Sequence, residues 1–330
     1  MQPPSPRRNW KPFALGTGIA LALALAVAAM VWLNRTDEIA TMRGHAGPVR
    51  ALAFSPDGTV IASGGDDGSV RLWDARSYQP KGTLVGHTGK VRALAIAEKG
   101  SLLATAGEDR TVRFWDWTTG QAAGTWDAFG SAVECLAFSP DGTTLAAGGA
   151  DKMVHLGNVA GKKPIRSLAG HAKHVHALAF GRDGQRFASG GEDGAILLWS
   201  RTGPKPLLTL NAGKHPVHGL AFAPDDSALF ACTGGPGVQV WDLPSGTPRT
   251  VKYDGAGLAR ALALSPDGTT LATVQEDKSL RLWDTASGKM LKKYEGLRSI
   301  GLAVAFAPDG GTVVSGSSDG LLKVWRVKGR

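Results

Sequence analysis

The pattern of hydrophobic and polar positions falls into two regimes. From Phe13 to Leu33 the chain runs 21 residues without a charge, and after residue 36 short apolar stretches alternate with turn residues. In the second regime Val49 to Phe54 is followed by Ser55-Pro56-Asp57-Gly58, then Val60 to Ser63, a turn through Asp67-Gly68, and Ser69 to Trp73. Short β-prone runs bounded by Pro, Asp and Gly predict strands joined by tight turns. A weaker fourth strand, Gly82 to Leu84, leads to Gly86-His87, where the pattern begins again.

The restart is periodic. Trp73, Trp115, Trp199, Trp241, Trp283 and Trp325 lie 42 residues or twice 42 residues apart, with Gly157 in the missing slot. Six positions before these slots stand Asp67, Asp109, Asp151, Asp193, Asp277 and Asp319, with Gly235 as the exception. A fixed period of this length marks a repeat architecture. Seven such units fill the chain from residue 37 onward. The predicted organisation is a basic tail over 1–12, a transmembrane helix over 13–33, a linker over 34–37 and a repeat domain over 38–330.

The units resemble the WD40-repeat family. Gly44-His45, Gly86-His87 and Gly170-His171 precede first strands, and Trp73-Asp74, Trp115-Asp116, Trp241-Asp242 and Trp283-Asp284 close third strands. The resemblance covers about nine-tenths of the chain and implies an all-β, seven-bladed β-propeller, here preceded by one transmembrane helix. The last unit ends at its third strand, so Ile39 to Met42 should supply the missing strand and close the ring. The resemblance also implies buried structural sets that tie the strands of a blade together. These are His45, Ser63, Asp67 and Trp73; His87, Thr105, Asp109 and Trp115; and His171, Ser189, Asp193 and Trp199. The third unit departs, with Phe129, Ala147 and Gly157-Asn158 in the corresponding slots, and is the expected weak blade. Trp117 and Trp126 are the candidates to fill the void at Gly157.

At about 1.5 Å per residue the Phe13–Leu33 run spans roughly 30 Å, enough for a bilayer core. Trp10 and Trp32 flank it, and Arg7, Arg8 and Lys11 precede it without an acid, which predicts a cytoplasmic N-terminus and an extracytoplasmic repeat domain, periplasmic in a bacterium. Ala24-Leu25-Ala26 and Ala26-Val27-Ala28 also fit a cleavable signal peptide, and either reading exports the repeats.

Composition narrows the chemistry. The net charge of +9 falls to +5 from residue 37 onward, a modest excess that does not call for nucleic acid. No basic stripe with stacking aromatics is present. Cys135 and Cys232 are the whole cysteine content, too few for a disulfide framework or a four-cysteine zinc site. Phosphate-loop, zinc-protease and calcium-loop signatures are absent, and no cofactor is expected. A Gly-x-Ser-x-Gly at Gly316–Gly320 falls in a second-to-third-strand turn rather than in the strand-turn-helix context of a hydrolase.

Members of the family commonly bind partners at the start of each first strand and just before the turn aspartate. Here those positions are Arg50, Lys90, Arg92, Glu134, His174, His176, His218 and Arg260, and then Asp66, Glu108, Glu192 and Glu276. Arg50, Arg92 and Arg260 lead as candidates, since arginine suits carboxylate recognition and interface hot spots. The function expected is a membrane-anchored, non-enzymatic scaffold that docks proteins or organises a membrane complex. The alternative is a ligand-binding, metal-binding or enzymatic propeller using His174, His176 and His218 with Glu134 and Glu192.

Overall fold

Turn chemistry sets the strand boundaries. In the first unit Gly58 and Gly68 sit at φ 70° and 75°, conformations that side chains resist, and the chain reverses there. Between them Val60–Gly65 is buried along its whole length. It pairs with Val49–Phe54 on one side and Val70–Asp74 on the other, and Pro80–Leu84 completes a four-stranded antiparallel sheet. In this computed structural model, which describes residues 37–127, 129–249, 253 and 257–327, seven such sheets form. Their first strands pack side by side in an unbroken circuit, Val49–Phe54 meeting Gly301–Phe306 to complete it. The sheets are therefore the seven blades of a closed propeller. The predicted membrane span over 13–33 lies outside the described residues; among those, no helix is long and apolar enough to cross a membrane.

The last blade takes its outer strand from the other end of the domain. Glu38–Arg43 runs antiparallel to Leu321–Arg326, with Glu38 opposite Trp325 and Met42 opposite Leu322. Met42 is buried against Ile61, Trp73 and Val324. The buried Lys323 ammonium donates to the Glu38 carboxylate. Burial alone would raise the Glu38 pKa, but hydrogen bonds from Lys323 and Thr41 outweigh it and hold the carboxyl below its usual range. The closing strand is thus the Ile39–Met42 segment extended by one residue at each end.

Inside a blade, one hydroxyl joins two distant side chains. Ser63 Oγ accepts from Trp73 Nε1 and lies 2.8 Å from His45 Nε2, while His45 Nδ1 faces Asp67 at 3.1 Å. A carboxylate only accepts, so Nδ1 carries the proton and Nε2 accepts from the serine, which makes the imidazole neutral. Burial depresses the His45 pKa, in agreement with that state. Burial opposes ionisation of Asp67 too, yet the Ala46 and Ser69 amides, the Ser69 hydroxyl and His45 hold it at about 2. The same network joins His87, Thr105, Asp109 and Trp115, and again His171, Ser189, Asp193 and Trp199. In the last two blades the indole–hydroxyl bond persists without a histidine, Trp283 donating to Thr273 and Trp325 to Ser315.

Between blades, close packing at the hub is governed by volume. A Cβ built on Gly64 would lie 2.6 Å from Val91 of the next blade; on Gly190, 2.5 Å from Val217; and on Gly316, 2.6 Å from Val49. At the junction of the sixth and seventh blades the sizes are exchanged. Val274 occupies the glycine slot, Gly301 the valine slot, and a Cβ on Gly301 would lie 2.6 Å from Val274. At these four junctions one branched side chain fits, and either partner can supply it.

The third blade is repaired by other means. Trp126, at the end of the second blade's outer strand, lays its ring over Gly157, where an added Cβ would be 2.7 Å from it. Trp117 packs elsewhere, with Leu84 and Trp115. Asp151 pairs with His155 at 2.7 Å, and the opposite ring nitrogen lies 2.8 Å from Ser167 Oγ, so this blade has a shorter polar bridge of its own.

Replacing Asp67 by alanine leaves the His45, Ala46 and Ser69 donors without their acceptor and is expected to cost roughly 1–3 kcal/mol, read as a lowered urea midpoint. An unchanged midpoint would count against the network. Gly301→Val should overpack its junction by about 1–3 kcal/mol, and adding Val274→Gly should recover part of that loss. A double-mutant cycle with no coupling between the two would refute the shared volume.

Candidate protein-docking face

First strands begin on the face that carries the Gly-His segments and aspartate turns. Because they line the hub, their second residues converge around one channel mouth. Arg50, Glu134, His176, His218 and Arg260 line a cavity there of about 210 Å³, together with Leu302 of the seventh blade and a deeper apolar layer that includes Leu52, Leu94 and Leu136. Arg92 belongs to the same ring by its place in the second blade.

The arginines are not free charges. Arg50 donates from Nε and Nη2 to the two oxygens of Asp66, both at 2.9 Å. Arg92 pairs with Glu108, and Arg260 with Glu276. In three blades, then, the strand-start cation is clasped by the acid before its own blade's turn. Lys90 lies between two blades, 4.0 Å from Asp66 and 3.8 Å from Glu108. These pairs leave the guanidinium groups oriented but partly neutralised. Hydrogen bonding from Arg50 outweighs burial and keeps the Arg50 pKa above its ordinary value. Asp66, though burial would raise it, is held low by the same partner.

In the third to fifth blades the pattern changes. Among the described residues Glu134 pairs with no cation of its own blade and instead meets His176 at 2.5 Å and His174 at 3.4 Å, both from the fourth blade. Glu192, which shares a blade with these histidines, pairs with Lys173 at 3.6 Å. His176 and His218 have ring centroids 6.2 Å apart, and His218 Nε2 lies 3.4 Å from Arg260 Nη1. Since Arg260 only donates, that nitrogen accepts and His218 is neutral. Burial first, then the Arg260 and His176 charges, push the His218 pKa down to about 4. A polar chain therefore runs from Glu134 through His176, His218 and Arg260 to Glu276.

This arrangement can recognise charged and hydrogen-bonding groups, but it brings no nucleophile and base together. No group of three or more His, Cys, Asp or Glu side chains among the described residues is placed to hold a metal ion. His174, His176 and His218 lie side by side, with successive ring centroids 6.0 and 6.2 Å apart, but Glu134 holds the first two and His218 faces Arg260. Cys135 and Cys232 are buried, and burial raises both thiols, Cys232 to about 12, so neither is a thiolate near neutral pH. Ser317, the central serine of the Gly-x-Ser-x-Gly, is buried and donates to Asp319 at 2.6 Å. It serves the turn.

A group with a depressed histidine pKa stabilises the fold fully above its unfolded value near 6.5, and that contribution is lost as pH falls toward the folded value. His218 is thus expected to titrate near pH 4 by imidazole NMR and to move upward in Arg260→Leu. A midpoint near 6.5 in the parent chain would contradict the described geometry.

Comparison with known proteins agrees with the architecture. Residues 133–330 match the family model of the IFT122 first beta-propeller, and 36–74 and 78–116 each match the WD domain, G-beta repeat. WD repeat, SAM and U-box domain-containing protein 1 of Danio rerio is 52% identical over 50 residues, 14% of this chain and 10% of that protein. The Homo sapiens serine-threonine kinase receptor-associated protein is 48% identical over 40 residues, 12% of this chain and 11% of its own. WD repeat-containing protein slp1 of Schizosaccharomyces pombe is 50% identical over 46 residues, 14% and 9% respectively. The similarity thus spans about a tenth of the length of these curated relatives. Through its repeats, its seven closed blades and the match over residues 133–330, the chain belongs to the WD-repeat β-propeller family described by the IFT122 first beta-propeller.

Proposed function

We propose that the chain is a membrane-tethered docking scaffold whose charged channel mouth holds one or more partner proteins on the extracytoplasmic side. WD-repeat propellers are interaction modules, which supports protein partners. One relative is named for association with a serine-threonine kinase receptor. The observation that carries the reading is the clasped arginine ring. Arg50, Arg92 and Arg260 are held in fixed orientations by Asp66, Glu108 and Glu276, with side chains still about a third exposed, at 31%, 28% and 39%. Preoriented arginines lose little freedom when a partner carboxylate or carbonyl arrives. The 42-residue spacing leaves no long loop from which a lid or pocket wall could be built, which favours a docking surface over an enclosed reaction site.

The tether and the side of the membrane rest on Phe13–Leu33 and on the cations before it, Arg7, Arg8 and Lys11. His174, His176, Glu134 and Glu192 extend the surface into the third and fourth blades and give it a mixed sign, suited to a partner that is itself mixed.

Cross-linking in intact membranes should capture a stoichiometric partner that disappears in the Arg50/Arg92/Arg260 triple alanine variant. A partner retained by that variant, or none at all, would remove the docking reading. A C-terminal reporter that is active only outside the cytoplasm tests the side.

A further inference from the structure

The cavity at the charged mouth has two tiers, and together they specify what fits it. Its rim is made by the second residue of the first strands. Its floor is made by the fourth, which lies on the same face of the strand roughly 6–7 Å deeper. The floor residue is leucine in six blades and Val304 in the seventh. Leu52, Leu178, Leu220 and Leu262 stay only half-buried in the middle of the hub, because their remaining surface faces the channel. Phe180, Phe222 and Leu264 belong to a separate cavity at the opposite end.

One arc of the rim favours an anion. Glu134 is the acid that lines the cavity, and His174 and His176 occupy it. Asp66 and Glu276 hold Arg50 and Arg260 without lining the cavity themselves. Both guanidinium groups keep further donors. Arg50 uses Nε and Nη2 on Asp66, which leaves Nη1. Arg260 meets Glu276 through Nη2 and His218 through Nη1, each of which carries a second N–H.

Between the blades of Arg260 and Arg50 stands the seventh, which has no charge in either slot. Leu302 takes its strand-start position, and Ser318, bonded to the Ser299 hydroxyl, precedes its turn aspartate. Two cations therefore flank an apolar side chain above an apolar floor. The volume of about 210 Å³ falls below the range of about 300–1,000 Å³ typical of small-molecule pockets and suits one residue of a partner.

We infer that the mouth receives the C-terminal residue of a partner polypeptide, with its α-carboxylate on Arg50 and Arg260 and its aliphatic side chain on the leucine floor. This rests on the docking reading and names the group that is docked. Only at a chain terminus do a carboxylate and an apolar side chain branch from one carbon, so a single residue satisfies both tiers. An aspartate or glutamate side chain ends in its carboxylate and has nothing apolar to set below the rim. A long acyl chain exceeds the volume.

The test is selection of random octapeptides with free C-termini on the full chain in detergent micelles, followed by fluorescence anisotropy of the recovered sequences. They should share a terminal leucine, isoleucine or valine. Converting the terminal carboxylate to a carboxamide should weaken binding about tenfold or more, the scale of one charge-assisted hydrogen bond. That comparison uses the parent chain and so does not depend on how any variant folds. Arg50→Gln and Arg260→Gln should each weaken the free acid and leave the carboxamide unaffected, and Leu302→Glu should abolish binding by placing a like charge beside the carboxylate. Lys289→Gln removes a charge from an exposed turn before the outer strand of the sixth blade and should change nothing. Peptides that share no terminal residue, that bind equally as carboxamides, or that are not recovered at all overturn the inference. A partner cross-linked in membranes and lost in the arginine triple variant, yet retained when its own C-terminus is extended, would uphold docking and overturn this inference alone.

Discussion

Everything else in this propeller depends on how closely neighbouring blades approach at the hub. The junctions at Gly64–Val91, Gly190–Val217 and Gly316–Val49 each admit one branched side chain and no more. Close packing of this kind makes a methyl group's worth of volume matter. It also fixes where the first strands stand, and so brings residues such as Arg50 and His218 to one mouth and Phe222 and Leu264 to the other. The exchange at Val274 and Gly301 shows that the constraint applies to the pair and not to either position.

On the charged face, recognition capacity comes from orientation more than from excess charge. A chain of formal charge +9 suggests a broadly basic surface. Yet each leading arginine already has a carboxylate partner from its own blade, and Lys90 is divided between two. What such a face offers is a set of guanidinium edges held in place by carboxylates, next to His218, whose protonation is set by burial and by Arg260. Surface ion pairs of this exposure add little to stability, so their regular recurrence in three blades is better understood as placement than as reinforcement.

Much of the architecture was legible before any coordinate. The tryptophans and aspartates fall on one grid because the indole–hydroxyl bond recurs in five blades and the turn aspartate in six, and that repetition made seven units and the strand that closes them readable. What could not be read were interactions between units. Glu134 meets His176 of the next blade, a pairing between two residues in the same slot of successive repeats, which no within-repeat pattern announces. The choice between Trp117 and Trp126 over Gly157 turned on direction: the outer strand of the second blade aims Trp126 at the gap, while Trp117 lies with Leu84. His155 was overlooked because it occupies a third-strand slot filled by Arg71 and Arg113 in the first two blades, and only the lost tetrad of the third blade gives it Asp151 and Ser167 as partners. The reciprocal Val274–Gly301 exchange does leave a trace in the sequence, visible once the seven units are stacked.

The strand Glu38–Arg43 also has a history in time. It leaves the ribosome first among the strands, yet its partner Lys323 is 285 residues downstream of Glu38. At about 5–20 residues per second, translation needs roughly a quarter of a minute to a minute to deliver that partner. Throughout that wait the nascent ring holds a bare edge at its beginning and a growing edge at its end, and any premature stop leaves both orphaned. A chain that stopped before Leu321 would therefore lack the strand against which Glu38–Arg43 pairs, and its ring could not close.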